Sequence, residues 1–266
     1  MTPKQENKLT LARLLGISEE QASERLAKRV AIAGAGAARE LALELSDQIG
    51  RTLTLADDCQ ADVEVVLEGD SANIAPAQIF VQLAPNQLEV SDVGPAATEA
   101  AHAFLVAIAG CYVASVVVDC ATGLNRGPKP LVVPFEALGA TQGILAQNIT
   151  LADPVLVGAG AIGNGFLRAL RHLNVAGSMI VADPKEVAEG NTNRCLYFDE
   201  SSIGKPKAQE LCERAQPDFP NLRLIPFNGS FSELRKRDGK IRRVIVAADS
   251  RRVRRSIQSE LPLEII

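Results

Sequence analysis

Residues 154–163 read Pro-Val-Leu-Val-Gly158-Ala-Gly160-Ala-Ile-Gly163, an apolar run that enters a glycine-rich turn and leaves it as a helix. Each glycine has a separate physical task. Gly158 permits the tight turn, Gly160 lets backbone amides approach a phosphate, and Gly163 lets the helix pack closely on the strand. The exposed N–H groups and the dipole at the start of that helix favour an anionic ligand. The pattern alone is shared with dinucleotide-binding dehydrogenases, so the residues that follow it carry the discrimination.

A second apolar run, Ser178-Met-Ile-Val-Ala, ends at Asp183, 20 residues past Gly163, the spacing of a ribose-binding carboxylate. Then come Asn191 and Arg194 in Gly-Asn-Thr-Asn-Arg, and Gly204-Lys205-Pro206-Lys207 at the head of a helix. A third buried strand, Val244-Ile-Val-Ala-Ala, is expected to end at Asp249. In this order the set resembles the superfamily of ubiquitin-activating enzymes and their bacterial relatives ThiF and MoeB. Members read strand–GxGxxG–helix–strand–Asp, then Asn-x-x-Arg, then Gly-x-Pro-Lys, then strand–Asp with an arginine soon after. Asp183, Asn191, Arg194, Lys207, Asp249 and Arg254 occupy those positions, and the resemblance runs from about Asp153 to Ile266.

The resemblance implies ATP- and Mg²⁺-dependent adenylation of the C-terminal carboxylate of a ubiquitin-like protein, with release of pyrophosphate. Such a transfer is catalysed mainly by positioning and by neutralising spread negative charge. Asp183 would accept from the ribose hydroxyls, and Asn191 would orient the phosphates. Arg194 and Lys207 would clamp the triphosphate, one as a fork and one as a point charge. Asp249 would hold Mg²⁺, a cation usually bound by one or two protein carboxylates. Gly158, Gly160 and Gly163 complete the cofactor-binding set, and Arg194, Lys207 and Asp249 the catalytic one. Taken singly, each residue has an ordinary alternative: Asp183 capping a turn before Pro184, Lys207 as a solvated helix residue, Asp249 as a helix cap. Taken in order on successive strand ends, they favour the nucleotide reading. Two positions depart from the family pattern. Lys185 stands where members often carry a second acidic residue, and Ala161 replaces a frequent glycine.

The chain has 266 residues, 47% of them hydrophobic, and a net charge of −4, enough for one large core or two modest ones. Five cysteines show no CxxC spacing and there are only two histidines, so a zinc site is not indicated. The first residues, Met-Thr-Pro-Lys-Gln-Glu-Asn, lack the apolar core of a signal peptide. With an odd number of cysteines, this points to reduced thiols in the cytoplasm. The run Ala103 to Val118 is charge-free, but it falls short of a membrane span and reads as a helix buried against protein.

The expected architecture is α/β, a Rossmann-like doubly wound sheet over 149–266 preceded by a degenerate Rossmann-like half over 1–148. In that first half, Ser18-Glu-Glu-Gln21 reads as a capping box opening a helix through Lys28. Arg29-Val-Ala-Ile-Ala-Gly34-Ala-Gly36 weakly repeats the strand-and-glycine pattern, and Ala37 to Ile49 reads as a helix. A strand at Thr52–Leu55 ends near Asp57 and Asp58, and further strands are expected at Val63–Leu67, Ile79–Leu83 and Leu88–Val90. The Asn-x-x-Arg and Pro-Lys signatures are missing. Family members work as dimers or tandem pseudo-dimers with one inactive half, so a homodimer or tandem pseudo-dimer is implied, this half being the inactive partner. The alternative is an unrelated α/β domain with an ordinary strand-end turn. In the family, an arginine of the partner half reaches the phosphates, and Arg13, Arg25, Arg29, Arg39 and Arg126 are all candidates here.

Between Leu234 and Arg255 there are ten Lys and Arg against two Asp. This run is either a solvated face or a surface for an acidic protein or the triphosphate. No aromatic interleaving points to nucleic acid. The second domain is expected to be truncated, with a helix at Ser250–Glu260, a strand at Leu261–Ile266 and no closing helix. Thioester-forming relatives carry their cysteine downstream, at a position that none of Cys59, Cys111, Cys120, Cys195 and Cys212 matches; Cys195, beside Arg194, is expected to be a packing residue. The partners implied are a ubiquitin-like substrate and a conjugating enzyme, with sulfur-transfer, cofactor or antiviral conjugation pathways as settings. Two other readings are a non-catalytic nucleotide-binding half of an activating complex and, ranked lower, an NAD(P)-dependent oxidoreductase.

Overall fold

The computed structural model describes residues 2–56, 60–72, 74–124, 130–260, 262 and 264–266. Asp57, Asp58, Cys59 and Arg126 lie outside the described residues, as do Leu261 and Leu263 of the expected final strand. The chain forms two compact units, Thr2–Leu145 and Ala146–Ile266.

The first unit opens with two helices, α1 (Pro3–Leu15) and α2 (Glu19–Leu26). Thr2 caps α1, and the Ser18–Gln21 capping box opens α2 as its spacing predicts. A sheet follows with β1 (Arg29–Ala33), α3 (Arg39–Ile49), β2 (Thr54–Leu55), β3 (Val63–Val66), β4 (Ala77–Ala84), β5 (Gln87–Ser91) and β6 (Ala97–Thr98). Then come α4 (Ala103–Thr122), β7 (Leu131–Pro134) and the short α5 (Gln142–Leu145). The strand order is β2-β1-β3-β4-β5-β7, with β6 also on β4. Pairing is parallel from β2 to β4 and antiparallel from β4 through β5 to β7.

Helix α3 buries Leu41, Leu45 and Ile49, and α4 buries Leu105, Ala109, Val113 and Val117, each set recurring every fourth residue along one face. Gly110 lets the two helices close on each other; a Cβ there would lie 2.8 Å from Glu44 Cγ. Arg25 Nη1 donates to the Thr122 and Gly123 carbonyls at 2.8 and 3.2 Å, which satisfies the end of α4. The apolar helix continues beyond Val118, through Asp119 to Thr122. By length and composition alone it is long enough to cross a membrane, but here its apolar stripe is core.

The second unit is built on β8 (Asn148–Val157), α6 (Ala161–Leu170), β9 (Asn174–Ala182), α7 (Lys207–Ala215), β10 (Leu222–Phe227), α8 (Phe231–Asp238), β11 (Arg243–Val246), α9 (Arg251–Ser259) and β12 (Glu264–Ile265). All five strands are parallel in the order β10-β9-β8-β11-β12, a doubly wound Rossmann arrangement whose direction of winding reverses between β8 and β11. The strand at Val244 is therefore the fourth of this sheet, not the third, because β10 precedes it. It ends at Val246, three residues before Asp249 rather than at it.

The sheet has a core on each face. Leu156, Met179, Val181 and Ile245 pack with Leu167 and Leu170 of α6 and with Ala208, Leu211, Cys212 and Ala215 of α7. Val155, Val157, Ala182 and Val244 pack on the other side with Phe231 and Leu234 of α8 and Ile257 of α9. Along β8 and β9 the apolar residues thus alternate between two layers, as strands covered on both faces require. Cys195 is fully buried in the first of these cores, which is the packing role expected for it.

Candidate functional site

In open parallel sheets, ligands bind outside the carboxyl ends of the strands where the winding reverses. Here that point lies between the end of β8 and the end of β11. The chain leaves β8 through Gly158, whose φ of 107° suits glycine alone. A Cβ at Gly158 would lie 2.9 Å from the Ala247 carbonyl carbon and oxygen, so the turn passes directly over the peptide that leads to Asp249. A Cβ at Gly163 would fall 2.0 Å from the Gly158 carbonyl oxygen, so helix α6 can close on the turn only because Gly163 has none. Gly160 differs. A Cβ there would meet no protein atom within 4 Å, and as the first cap of α6 it makes no side-chain bond to the helix amides. Among the described residues the space at the Gly160 Cα is thus clear, as an anion approaching the start of α6 needs.

Asp183 follows β9 and is buried. Its Oδ2 accepts from the Ala159 amide at 2.8 Å, and its Oδ1 from the Lys185 amide at 2.9 Å across Pro184. The carboxylate therefore both caps the Pro184 turn and pins the glycine-rich turn. The remaining lone pair on each oxygen stays available for hydroxyl donors.

The segment after Asp183 folds back on the one that precedes α7. Lys185 accepts from the Lys207 amide at 2.8 Å, Val187 donates to the Lys205 carbonyl at 2.8 Å, and Gly204 donates to the Val187 carbonyl at 2.9 Å. The first residue of α7, Lys207, is thereby held beside the Pro184 turn. Lys207 is only 9% exposed, which argues against the alternative of a solvated helix residue. No carboxylate pairs with it among the described residues. A buried ammonium without a counter-charge is unfavourable unless an anion joins it.

The approach to Lys207 is braced by an ion network. Glu210 is buried and accepts from Ser202 Oγ and Arg214 Nε, both at 2.8 Å, with Lys205 Nζ at 3.2 Å. Arg214 also forks onto Asp199 at 2.6 and 2.9 Å. Burial pushes the Glu210 carboxyl up, but the Ser202, Arg214 and Lys205 donors outweigh it and hold it below its ordinary value. The Arg214 fork and the Ser201 hydroxyl hold Asp199 well below the usual carboxylate range.

Asn191 is buried at the end of a short 3₁₀ turn, Glu189–Asn191, and its Oδ1 accepts from the Ala188 amide at 2.9 Å. This bond orients its amide, with the NH₂ group as the donor end. Arg194 is exposed, and its Nη1 reaches the Gly190 carbonyl at 2.6 Å and Asn193 Oδ1 at 3.0 Å. Asp249 is also exposed, and the cap of α9 is Ser250, so the carboxylate is not spent on the helix. Arg254 sits on the exposed face of α9.

One organising residue carried no signal in the motif pattern. Asn164 is fully buried; its Nδ2 donates to the Ala159 and Gly160 carbonyls, both at 3.1 Å, and its Oδ1 accepts from the Tyr197 amide at 3.0 Å. It ties the glycine-rich turn to the segment that follows Arg194. Among the described residues no cluster of three or more metal-ligating side chains exists.

Known families match both parts of the chain. The E1 N-terminal domain family covers residues 1–141, more than half of the 266, and the ThiF family covers residues 129–260. The chain belongs to the superfamily of ubiquitin-activating enzymes and their ThiF- and MoeB-type relatives. The first half of this E1-like chain therefore falls with the E1 N-terminal domain and not with an unrelated α/β fold. Among curated relatives, the NEDD8-activating enzyme E1 catalytic subunit of Saccharomyces cerevisiae is 31% identical over 71 residues, 27% of this chain and 24% of that protein. Ubiquitin-like modifier-activating enzyme 7 of Homo sapiens is 32% identical over 76 residues, 27% of this chain and 8% of that protein. The E1-like chain thus matches about a quarter of the first relative's length and under a tenth of the second's. Among solved structures, E. coli tRNA N6-threonylcarbamoyladenosine dehydratase, TcdA, aligns with a TM-score of 0.37 at 20% identity, over 47% of this chain and 52% of that one. E. coli MccB aligns with a TM-score of 0.33 at 20% identity, over 41% and 32%.

Proposed function

We propose that the second unit binds ATP with Mg²⁺ and adenylates the C-terminal carboxylate of a ubiquitin-like protein. The observation that carries this reading is the corner where Asp183 and the buried Lys207, which no carboxylate pairs among the described residues, are held beside the N-terminus of α6. That corner offers a carboxylate for a ribose, helix-start amides for a phosphate, and a lysine suited to an anion. The names of the two curated relatives support the choice of substrate class.

In this reading Asp183 accepts from the ribose hydroxyls with the lone pairs left by the Ala159 and Lys185 amides. Lys207, Arg194 and the donor end of Asn191 neutralise and align the triphosphate, so that its α-phosphate faces the incoming carboxylate. Asp249 would hold Mg²⁺, which supplies charge neutralisation on the phosphate oxygens when bound. The first unit serves as the inactive partner half. Its Arg25 is engaged at the end of α4. A conjugating enzyme as a further partner and a cytoplasmic setting belong to the same proposal.

Mg²⁺-dependent exchange of labelled pyrophosphate into ATP, measured with candidate proteins ending in glycine, tests it. Exchange that requires one such protein supports the reading. ATP binding without exchange for any of them would leave a non-catalytic nucleotide-binding half, and NAD binding in place of ATP would remove the nucleotide assignment.

A further inference from the structure

The basic run between Leu234 and Arg255, in which Arg254 also holds a family motif position, contains cations with partners and a group without. Arg235 pairs with Glu260, Arg237 with Asp238, and Arg243 with Glu264; Arg237 also lies over the Phe227 ring at 4.8 Å. Arg251, Arg252, Arg254 and Arg255 are different. All four are exposed on α9, and no carboxylate pairs with any of them among the described residues. Ile257 is fully buried, and Val253 packs against the same core. At 100° per residue the four guanidinium groups therefore fan over an arc of about 160° on the opposite, solvent side of the helix.

Their placement is locally unfavourable in two ways. Arg251 with Arg254, Arg251 with Arg255 and Arg252 with Arg255 are like charges three or four residues apart on a helix, an arrangement that destabilises it. They also occupy the first turns, where the helix dipole disfavours cations. Neither effect is relieved within the described residues, and a local rule broken without compensation marks a functional surface.

We propose that this arginine face docks a short acidic segment of a partner protein. The guanidinium fork matches carboxylates in two-bond pairs. The helix is roughly 14 Å long at 1.5 Å per residue, so it spans about four residues of extended chain. A nucleic acid fits less well. The chain as a whole carries −4, so a long polyanion would leave the patch for a surface with excess carboxylate. No aromatic residue within Arg251–Ser259 offers a base a stacking partner. The proposal does not depend on the adenylation reading.

The test uses the full chain with Arg251→Gln/Arg252→Gln/Arg255→Gln, leaving Arg254 in place, and a labelled peptide of a few consecutive glutamates as probe. The unaltered protein should bind it in a salt-sensitive manner, and the triple variant should bind at least about tenfold more weakly. A variant losing cations elsewhere, Lys4→Gln/Arg223→Gln, should bind as the unaltered protein does. The triple variant should also melt no lower than the parent, because like-charge repulsion has been removed. Equal binding of the glutamate peptide by triple variant and parent would overturn the proposal. So would tighter binding of an RNA duplex through the same arginines, or a clear drop in melting temperature, which would make the arginines structural.

Discussion

Asp183 and Lys207 are held by one residue between them: the Lys185 amide donates to Asp183 Oδ1 at 2.9 Å, and the Lys185 carbonyl accepts from the Lys207 amide at 2.8 Å. The carboxylate of the candidate ribose acceptor and the main chain of the candidate phosphate clamp are thereby tied to the backbone of one residue. The side chain at position 185 is exposed and takes no part in these bonds. That is how a lysine can stand where relatives often carry an acid without disturbing the corner.

Asp183 and Asp249 should fail differently. Asp183→Ala removes the acceptor common to all adenine nucleotides and also frees the Ala159 amide, so ATP and AMP binding should both fall by at least about tenfold, for the loss of hydrogen bonds to a charged group. Asp249→Ala should leave AMP binding nearly intact and lower Mg²⁺-dependent turnover. Calorimetric titration with AMP alongside pyrophosphate exchange separates the two, and equal loss of AMP binding in both would contradict the assignment.

The glycines divide the same way. Gly163→Ala would put a methyl 2.0 Å from the Gly158 carbonyl oxygen and should destabilise the protein by about 3 kcal/mol or more. Gly160→Ala meets no protein atom and should cost less than about 1 kcal/mol, while ATP affinity falls because the methyl enters the space kept for phosphate. Urea unfolding and nucleotide titration of the pair make the check. A Gly160→Ala protein with unchanged ATP affinity would place the phosphate elsewhere.

Lys207→Met keeps the length of the stem and removes a buried charge that no carboxylate balances among the described residues. The ligand-free protein should be as stable as the parent or more so, by up to about 1 kcal/mol, while ATP binding weakens by roughly tenfold or more. Opposite signs in melting temperature and affinity are the expected signature. A large loss of stability would instead give Lys207 a structural role.

The Glu210–Arg214–Asp199 network makes stability depend on acid. Both carboxyls are held below their ordinary values in the folded protein, so the stability they contribute is complete above the unfolded carboxylate range and is lost as pH falls through the lower folded values. Glu210, with a side chain 2% exposed, should dominate over Asp199 at 56%. Glu210→Gln should flatten the fall in stability below about pH 4 and lower stability at neutral pH. Arg214→Met should cost about 2 kcal/mol at pH 7, since Lys205 and Ser202 still face the buried acid. Urea midpoints measured across pH supply the test.

Much of this architecture is legible in the residues. The glycine spacing, the apolar strands ending near Asp183 and Asp249, and the Ser18 helix start all act within a few positions along the chain. Other features escape for definite reasons. Helix α1 is weakly amphipathic and shows itself only through the Thr2 cap and Pro3. Strand β10 is hidden by Pro226, which argues against an interior strand but is tolerated because β10 lies at the edge of its sheet. The burial of Lys207 and the bond from Tyr197 to Asn164 depend on loops that close over long stretches of chain, and no local pattern encodes them.

The hydrogen bonds from Asn164 and Asp183 onto the glycine-rich turn have a kinetic consequence. Both are made by buried groups within the protein itself, so the turn is already in its binding shape when a nucleotide arrives. Little chain entropy is then left to lose on association, and the Ala159 amide should exchange with deuterium slowly whether or not a nucleotide is present. Selection at this corner would come from shape and charge standing ready in advance.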